Sequence, residues 1–189
     1  MPQTAEKIIF DDLQFTYEDY LQLPDDGKRY EIIEGELYMS PAPLTIHQKI
    51  VGNLFRIWAN FVHEEKNGTV FLAPCDVVFS DASIVQPDIL FISNKNSSII
   101  EEKNIQGAPD LIIEVTSPST EIRDLDHKKR LYAKYGVKEY WIVFSNEKKV
   151  EVWDPEGNWY VLSGTYSEQD NVNSVLLPGF LVDLEDVFE

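Results

Sequence analysis

Cysteine is almost missing from this chain: among 189 residues there is one, Cys75. A single cysteine forms no internal disulfide, which excludes a disulfide-stapled secreted scaffold and suits a reducing cytoplasm. Cys75 sits in an apolar stretch and reads as a small buried side chain rather than a nucleophile. Long apolar runs are missing too. No stretch approaches the ~18–20 residues needed to span a bilayer, and the opening MPQTAEKIIFDD is acidic and has no hydrophobic signal core. No membrane partner is expected. Positive charge is scarce, with 16 basic against 33 acidic residues and a net charge of −17. That balance argues against broad, nonspecific nucleic-acid binding, which depends on neutralising phosphates. Repeats, low-complexity tracts and linkers are also lacking. With 43% hydrophobic and 12% aromatic residues, the chain can build one good core, so residues 1–189 are expected to form a single domain with its core at about 29–163.

The scarce basic residues are not evenly spread. Residues 121–138 hold six of them (Arg123, Lys128, Lys129, Arg130, Lys134, Lys138) against three acids, whereas residues 139–189 hold two against eleven. One locally basic segment on an acidic chain is either a solvated helix face or a functional surface.

Hydrophobic periodicity and turn residues divide the chain into elements. Thr16–Leu21 reads as a short capped helix ended by Pro24. Arg29–Ile33 and Leu37–Met39, joined by Glu34-Gly35, predict a hairpin. Thr45 can cap a long helix whose stripe is Ile46, Ile50, Leu54, Ile57, Trp58, Phe61 and Val62, with Gly68 as its stop. Thr69–Ala73, Asp76–Ser80 and Ile84–Ser93 read as a meander of strands. Asn94–Gly107 reads as a surface loop with one helical turn at Ile99–Lys103. Leu111–Thr116 is a strand buried on both faces. Ser117–Thr120 supplies caps for a helix from about Glu121 to Tyr135, ended by Gly136. A strand at Tyr140–Val143 completes a strand–helix–strand unit, which implies a parallel pair. A hairpin of Lys149–Trp153 and Trp159–Leu162 follows, then an apolar–acidic docking tail, LLPGFLVDLEDVFE. Trp153 and Trp159 could serve the core or an interface between two copies.

Two apolar runs carry a carboxylate that does not belong in a core strand. Asp88 heads Ile89–Ile92 and Glu114 follows Leu111–Ile113. A buried carboxylate must be paired, hydrogen-bonded, protonated or bound to a metal. Two of them at the ends of neighbouring strands suggest one shared site, and clustered carboxylate oxygens suit a hard divalent cation such as magnesium. On the following helix Asp124, Lys128 and Tyr132 stand at i, i+4 and i+8, on one face. Lys128 is then either half of a surface ion pair, which is worth little, or a cation aimed back at Glu114. Position alone leaves both open.

The order of motifs resembles a known family. Tyr30-Glu31-Ile32-Ile33-Glu34-Gly35-Glu36-Leu37, His47, Gln86-Pro87-Asp88 and Pro109-Asp110-Leu111 come first. Glu114-Val115-Thr116-Ser117-Pro118-Ser119-Thr120, Asp124, Lys128, Tyr132 and Gly136-Val137-Lys138-Glu139-Tyr140-Trp141 complete the series. Over roughly residues 15–185 this resembles the Uma-two family of putative restriction endonucleases, within the PD-(D/E)XK nuclease superfamily. The resemblance implies an α/β fold tending to α+β. It would be a restriction-endonuclease-like mixed central sheet flanked by helices, with extra N-terminal and C-terminal hairpins. It implies Mg²⁺, with Mn²⁺ as a substitute, held by Asp88, Glu114 and the Val115 carbonyl, with catalytic Glu31, Asp88, Glu114 and Lys128. The superfamily's lysine would stand at position 116, where this chain has Thr116; the family pattern moves it to Lys128. Glu34 is the fallback for Glu31, and His47, Gln86, Asp124 and Tyr132 are accessory candidates. The expected activity is metal-assisted phosphodiester hydrolysis of nucleic acid, with DNA the favoured substrate, by a cytoplasmic homodimer. The alternative is a nuclease-fold module that binds or regulates without efficient cleavage.

Overall fold

The structure, a computed structural model, describes residues 6–8, 13–40, 42–116 and 123–189, with the side chains of 6–8, 123 and 124 outside that description. The first half supplies β1 (Glu6–Ile8), α1 (Tyr17–Tyr20), β2 (Arg29–Ile33), β3 (Glu36–Ser40) and α2 (Thr45–Glu65). Next come β4 (Gly68–Leu72), β5 (Val77–Ser80), β6 (Ser83–Val85), β7 (Ile89–Ser93) and, after a 3-10 turn at Asn94–Ile99, β8 (Ile105–Gln106). The second half supplies β9 (Leu111–Thr116), a π-helical turn at Arg123–Lys128 running into α3 (Lys129–Tyr135), and β10 (Glu139–Phe144). It closes with β11 (Lys149–Glu156), β12 (Trp159–Ser167), the small pair β13 (Asn171–Asn173) and β14 (Leu181–Asp183), and α4 (Leu184–Phe188).

The central sheet has the order β12-β11-β10-β9-β7-β4. Its β9–β10 pair is parallel and its other pairs are antiparallel, so the sheet is mixed, as expected. Strand alternation then sorts β9 side chains. Leu111, Ile113 and Val115 face one core with Ile50, Leu54 and Trp58 of α2 and with Phe180, Val187 and Phe188 of the C-terminal segment. Ile112 faces the second core, which also holds Leu131 and Tyr132 of α3. Glu114, two residues on, shares that second face. The docking tail expected from its apolar residues is therefore part of the first core.

The hairpin β2–β3 grows into a second sheet of its own, ordered β1-β3-β2-β6-β5-β8. Ile33 and Tyr38 of that sheet pack against Leu90, Ile92 and Ile112 of the central one. The other face is covered by Phe15, Tyr17 and Tyr20 of the α1 region. Helix α1 is held by a reciprocal Thr16–Asp19 capping box.

Several local expectations change. The supposed meander is dealt between sheets: β4 and β7 join the central sheet, and β5 and β6 join the second. Thr45 is the first helical residue of α2, not its cap; Leu44 holds that place without a side-chain bond. Ile46 is exposed, so the buried stripe starts one turn later, apart from His47. The helix ends at Lys66 in the left-handed region (φ 51°), and Gly68 serves a different purpose. A Cβ there would lie 2.4 Å from the Ile92 carbonyl oxygen and 2.5 Å from the Phe91 ring, so only glycine lets β4 lie this close to β7. The turn placed at Ile99–Lys103 falls earlier, at Asn94–Ile99. The proposed caps Ser117–Thr120 lie outside the described residues. Cys75 is half-buried at the edge of the second core. Trp153 packs against that core, while Trp159 is 66% exposed. Among the described residues no helix is long and apolar enough to cross a membrane.

Candidate functional site

Strands β7 and β9 pair antiparallel through Ile89↔Ile113, Leu90↔Ile112 and Phe91↔Leu111. Continuing that register by one residue sets Asp88 against Glu114. The contact made there confirms the approach: the Val115 N–H donates to Asp88 Oδ2 at 2.9 Å. Both carboxylates are deeply buried, Asp88 at 4% and Glu114 at 3% exposure. The third acid arrives from the facing sheet. In β2, Glu31 shares the inward face of Ile33 and is 3% exposed.

One ammonium group joins the sheets. Lys128, at the end of the π-helical turn, is 1% exposed and sets Nζ 2.8 Å from Glu31 Oε1 and 2.9 Å from Glu114 Oε1. Tyr132, one helical turn on, donates its hydroxyl to the same Glu114 oxygen at 2.6 Å. The i, i+4 face of Lys128 and Tyr132 is thus turned inward onto β9; the Asp124 side chain lies outside the described residues. The surface ion-pair alternative for Lys128 is excluded by its burial. Burial, and then the Glu114 charge, push the Tyr132 phenol far above its ordinary pKa, so it acts here as a donor only.

Asp88 has its own cationic partners. Arg29 Nη1 lies 3.3 Å from Oδ1 and His47 Nε2 lies 3.1 Å from Oδ2. Burial alone would raise the Asp88 pKa, but the His47 hydrogen bond and charge, Arg29 and the Val115 N–H together bring it to about 2. The same contact acts on His47: burial disfavours its charged form, yet the bond to Asp88 outweighs this and raises its pKa. With His47 protonated, the cations Arg29, His47 and Lys128 balance the anions Glu31, Asp88 and Glu114. That balance is what allows three carboxylates to be buried together.

Gln86 ties this centre to its surroundings. Its N–H donates to Glu31 Oε1 at 2.9 Å, and its amide donates to Asp76 Oδ1 at 2.8 Å and Tyr20 OH at 3.0 Å. Glu34 stands apart. It occupies the hairpin turn at φ 51° and pairs with Lys134 at 2.8 Å, both largely exposed. The geometry therefore selects Glu31 over Glu34 as the third acid. The second Pro-Asp dipeptide, Pro109-Asp110, is a staple: Asp110 accepts from the Ser93 N–H and from Lys138.

Arg29 is the member that motif reading missed. Its signal was present, because Arg29 and Glu31 are i and i+2 on one strand and face the same way. Tyr20 and Asp76 left no such signal, since only the tertiary fold carries them to Gln86.

Two adjacent buried carboxylates are oxygen donors of the kind a hard divalent cation takes. A closed protein cage is not present: among the described residues no group of three or more His, Cys, Asp or Glu side chains is gathered as for a metal.

Comparison with known proteins bears on the family and the fold. Residues 17–185 match the model of the Uma2 family, described as "Putative restriction endonuclease". The chain belongs to the Uma2 family. It is similar to an uncharacterized protein of Synechocystis sp., 25% identical over 181 residues that cover 88% of each chain. It is also similar in fold to the crystal structure of a "putative nuclease belonging to DUF820" from Anabaena variabilis. That match has a TM-score of 0.73 at 23% identity and covers 92% of this chain and 97% of the other. In this Uma2 chain the residues that the family resemblance singled out as Glu31, Asp88, Glu114 and Lys128 meet in one place, although the superfamily's lysine position holds Thr116.

Proposed function

We propose that this protein hydrolyses phosphodiester bonds in nucleic acid, with DNA as the favoured substrate, at a site built from Asp88, Glu114, Lys128 and Glu31. The observation that carries the reading is the meeting of Asp88 and Glu114 across one β7–β9 register step, with the Lys128 ammonium on Glu114. Asp88, Glu114 and the Val115 carbonyl would hold Mg²⁺, or Mn²⁺ in its place. Such a cation supplies Lewis-acid activation of the phosphoryl oxygen and lowers the pKa of a bound water. The chain's own groups do the rest. Tyr132 fixes the Glu114 rotamer, His47 and Arg29 orient Asp88, and Lys128 places positive charge where the phosphate gains negative charge. Gln86 holds Glu31 toward the same point. A cytoplasmic homodimer, which presents one such site to each strand of a duplex, belongs to this reading.

A second reading draws on the charge balance. With His47 protonated, Arg29, His47 and Lys128 already balance Glu31, Asp88 and Glu114 in the buried centre, as they would in a nuclease-fold module that binds without cutting. One experiment separates the two. Mn²⁺ is titrated calorimetrically into the wild type and Asp88→Ala, and plasmid nicking is followed with millimolar Mg²⁺ or Mn²⁺. Metal binding and nicking that both vanish in Asp88→Ala support the nuclease. Absence of metal binding in the wild type refutes it and leaves the binding module.

A further inference from the structure

Lys128 and Lys129 are consecutive but point into different surroundings. Lys128 is sealed against Glu114, whereas Lys129 sets its ammonium 3.7 Å from the centroid of the Trp153 ring, on the outer side of the helix. On that side a cleft of about 410 Å³ opens between α3 and β12. It is lined by Asp126, Lys129, Arg130, Ala133, Trp159 and Tyr160. A volume of this size lies toward the lower end of the ~300–1,000 Å³ typical of small-ligand clefts.

Three features of the cleft agree in chemistry. Its basic residues come from the one segment of the chain with excess positive charge, on a molecule of net charge −17. Trp159 offers an indole that is 66% exposed, on the last strand of the central sheet. An exposed large aromatic beside cations is the combination by which unpaired bases are held, the ring stacking on the base and the cations meeting the phosphate. Arg130 is engaged by Asp126 in an exposed i, i+4 pair. Such pairs contribute little, so the guanidinium can turn to a phosphate at small cost.

We propose that this cleft binds one nucleotide of a single-stranded nucleic acid, its base stacked on the Trp159 indole and its phosphate held by Lys129 and Arg130. The inference rests on the nucleic-acid substrate proposed above and assigns it a contact outside the carboxylate centre. The outer side of the helix that carries Lys128 inward would hold the strand. A short unpaired stretch would therefore bind better than a closed duplex.

The test is fluorescence anisotropy of a labelled ten-nucleotide oligodeoxynucleotide with the full chain in EDTA, where binding is read without cleavage. Trp159→Ala is expected to weaken binding on the order of tenfold, the usual loss of one base–aromatic stack. Trp159→Phe should retain most of the affinity, which separates lost stacking from misfolding. Arg130→Ala should weaken binding and lower the slope of log K against log salt by about one. Affinities within twofold of wild type for Trp159→Ala and Arg130→Ala overturn the proposal, as does an oligonucleotide that does not bind the wild type. Sedimentation showing that Trp159→Ala dissociates a dimer, with oligonucleotide affinity unchanged, also overturns it and assigns the surface to a second copy. The two proposals can fail separately. Trp159-dependent binding by a protein that never cleaves keeps the cleft and removes the nuclease, whereas cleavage by a protein whose binding ignores Trp159 does the reverse.

Discussion

Replacing Lys128 with methionine should destabilise the protein more than any change at an exposed lysine. The methionine has nearly the shape of the lysine stem, so little packing is lost. What is lost is the ammonium, 2.8 Å from Glu31 and 2.9 Å from Glu114 in a place where all three residues are at most 3% exposed. Glu31 and Glu114 would remain buried without their shared counter-charge, and removing one partner of a buried ion pair costs about 3–5 kcal/mol. For a chain of this length each kcal/mol lowers Tm by about 2–4 °C, so the midpoint should fall by roughly 6–20 °C. Urea unfolding at neutral pH measures the free energy and differential scanning calorimetry the midpoint. The double variant Glu31→Gln/Lys128→Met supplies the control. It removes one stranded carboxylate along with the ammonium, and should recover at least about 1 kcal/mol relative to Lys128→Met alone. A loss below about 1 kcal/mol for Lys128→Met, with no recovery in the double variant, would refute the view that this lysine bridges the two sheets.

Further outcomes are expected from the same structure. Asp88 has its pKa lowered from 3.8 to about 2, so its contribution is present above pH 4 and lost as pH falls through about 2. The stability difference between wild type and Asp88→Asn, followed by urea unfolding from pH 6 to pH 2, should therefore shrink on acidification; a difference that stays constant would contradict the ionised, cation-held Asp88. Gly68→Ala places a Cβ within 2.5 Å of both the Ile92 carbonyl and the Phe91 ring. It should cost about 1–3 kcal/mol in thermal or urea unfolding, whereas a mere helix stop at this position would predict a far smaller change. Glu34→Ala removes an exposed pair with Lys134 and should alter stability by less than about 1 kcal/mol and leave Mn²⁺ binding as in the wild type; a loss of Mn²⁺ binding would return Glu34 to the site.

Local physics made much of the molecule legible before any fold was known. The β2–β3 hairpin, the long helix α2, the fully buried β9 and β10 and the parallel pairing between them follow from periodicity, glycine turns and the strand–helix–strand order. The two out-of-place carboxylates could be found because a charge inside an apolar run is costly unless something answers it. Lys128 and Tyr132 were visible as one helical face. What answered the carboxylates was not legible, because pattern along a chain carries no distance across it. The division of β4 to β7 between two sheets depends on which edges meet, and the helix stop moved from Gly68 to Lys66 because close packing against Phe91 claims the glycine. The choice of Glu31 over Glu34, three residues apart, was made by which side of the second sheet faces the first. Arg29 became a partner of Asp88 only when β2 was brought against the head of β7. Sequence alone determined that buried negative charge must be compensated, and the tertiary structure decided which cations, from which elements, compensate it.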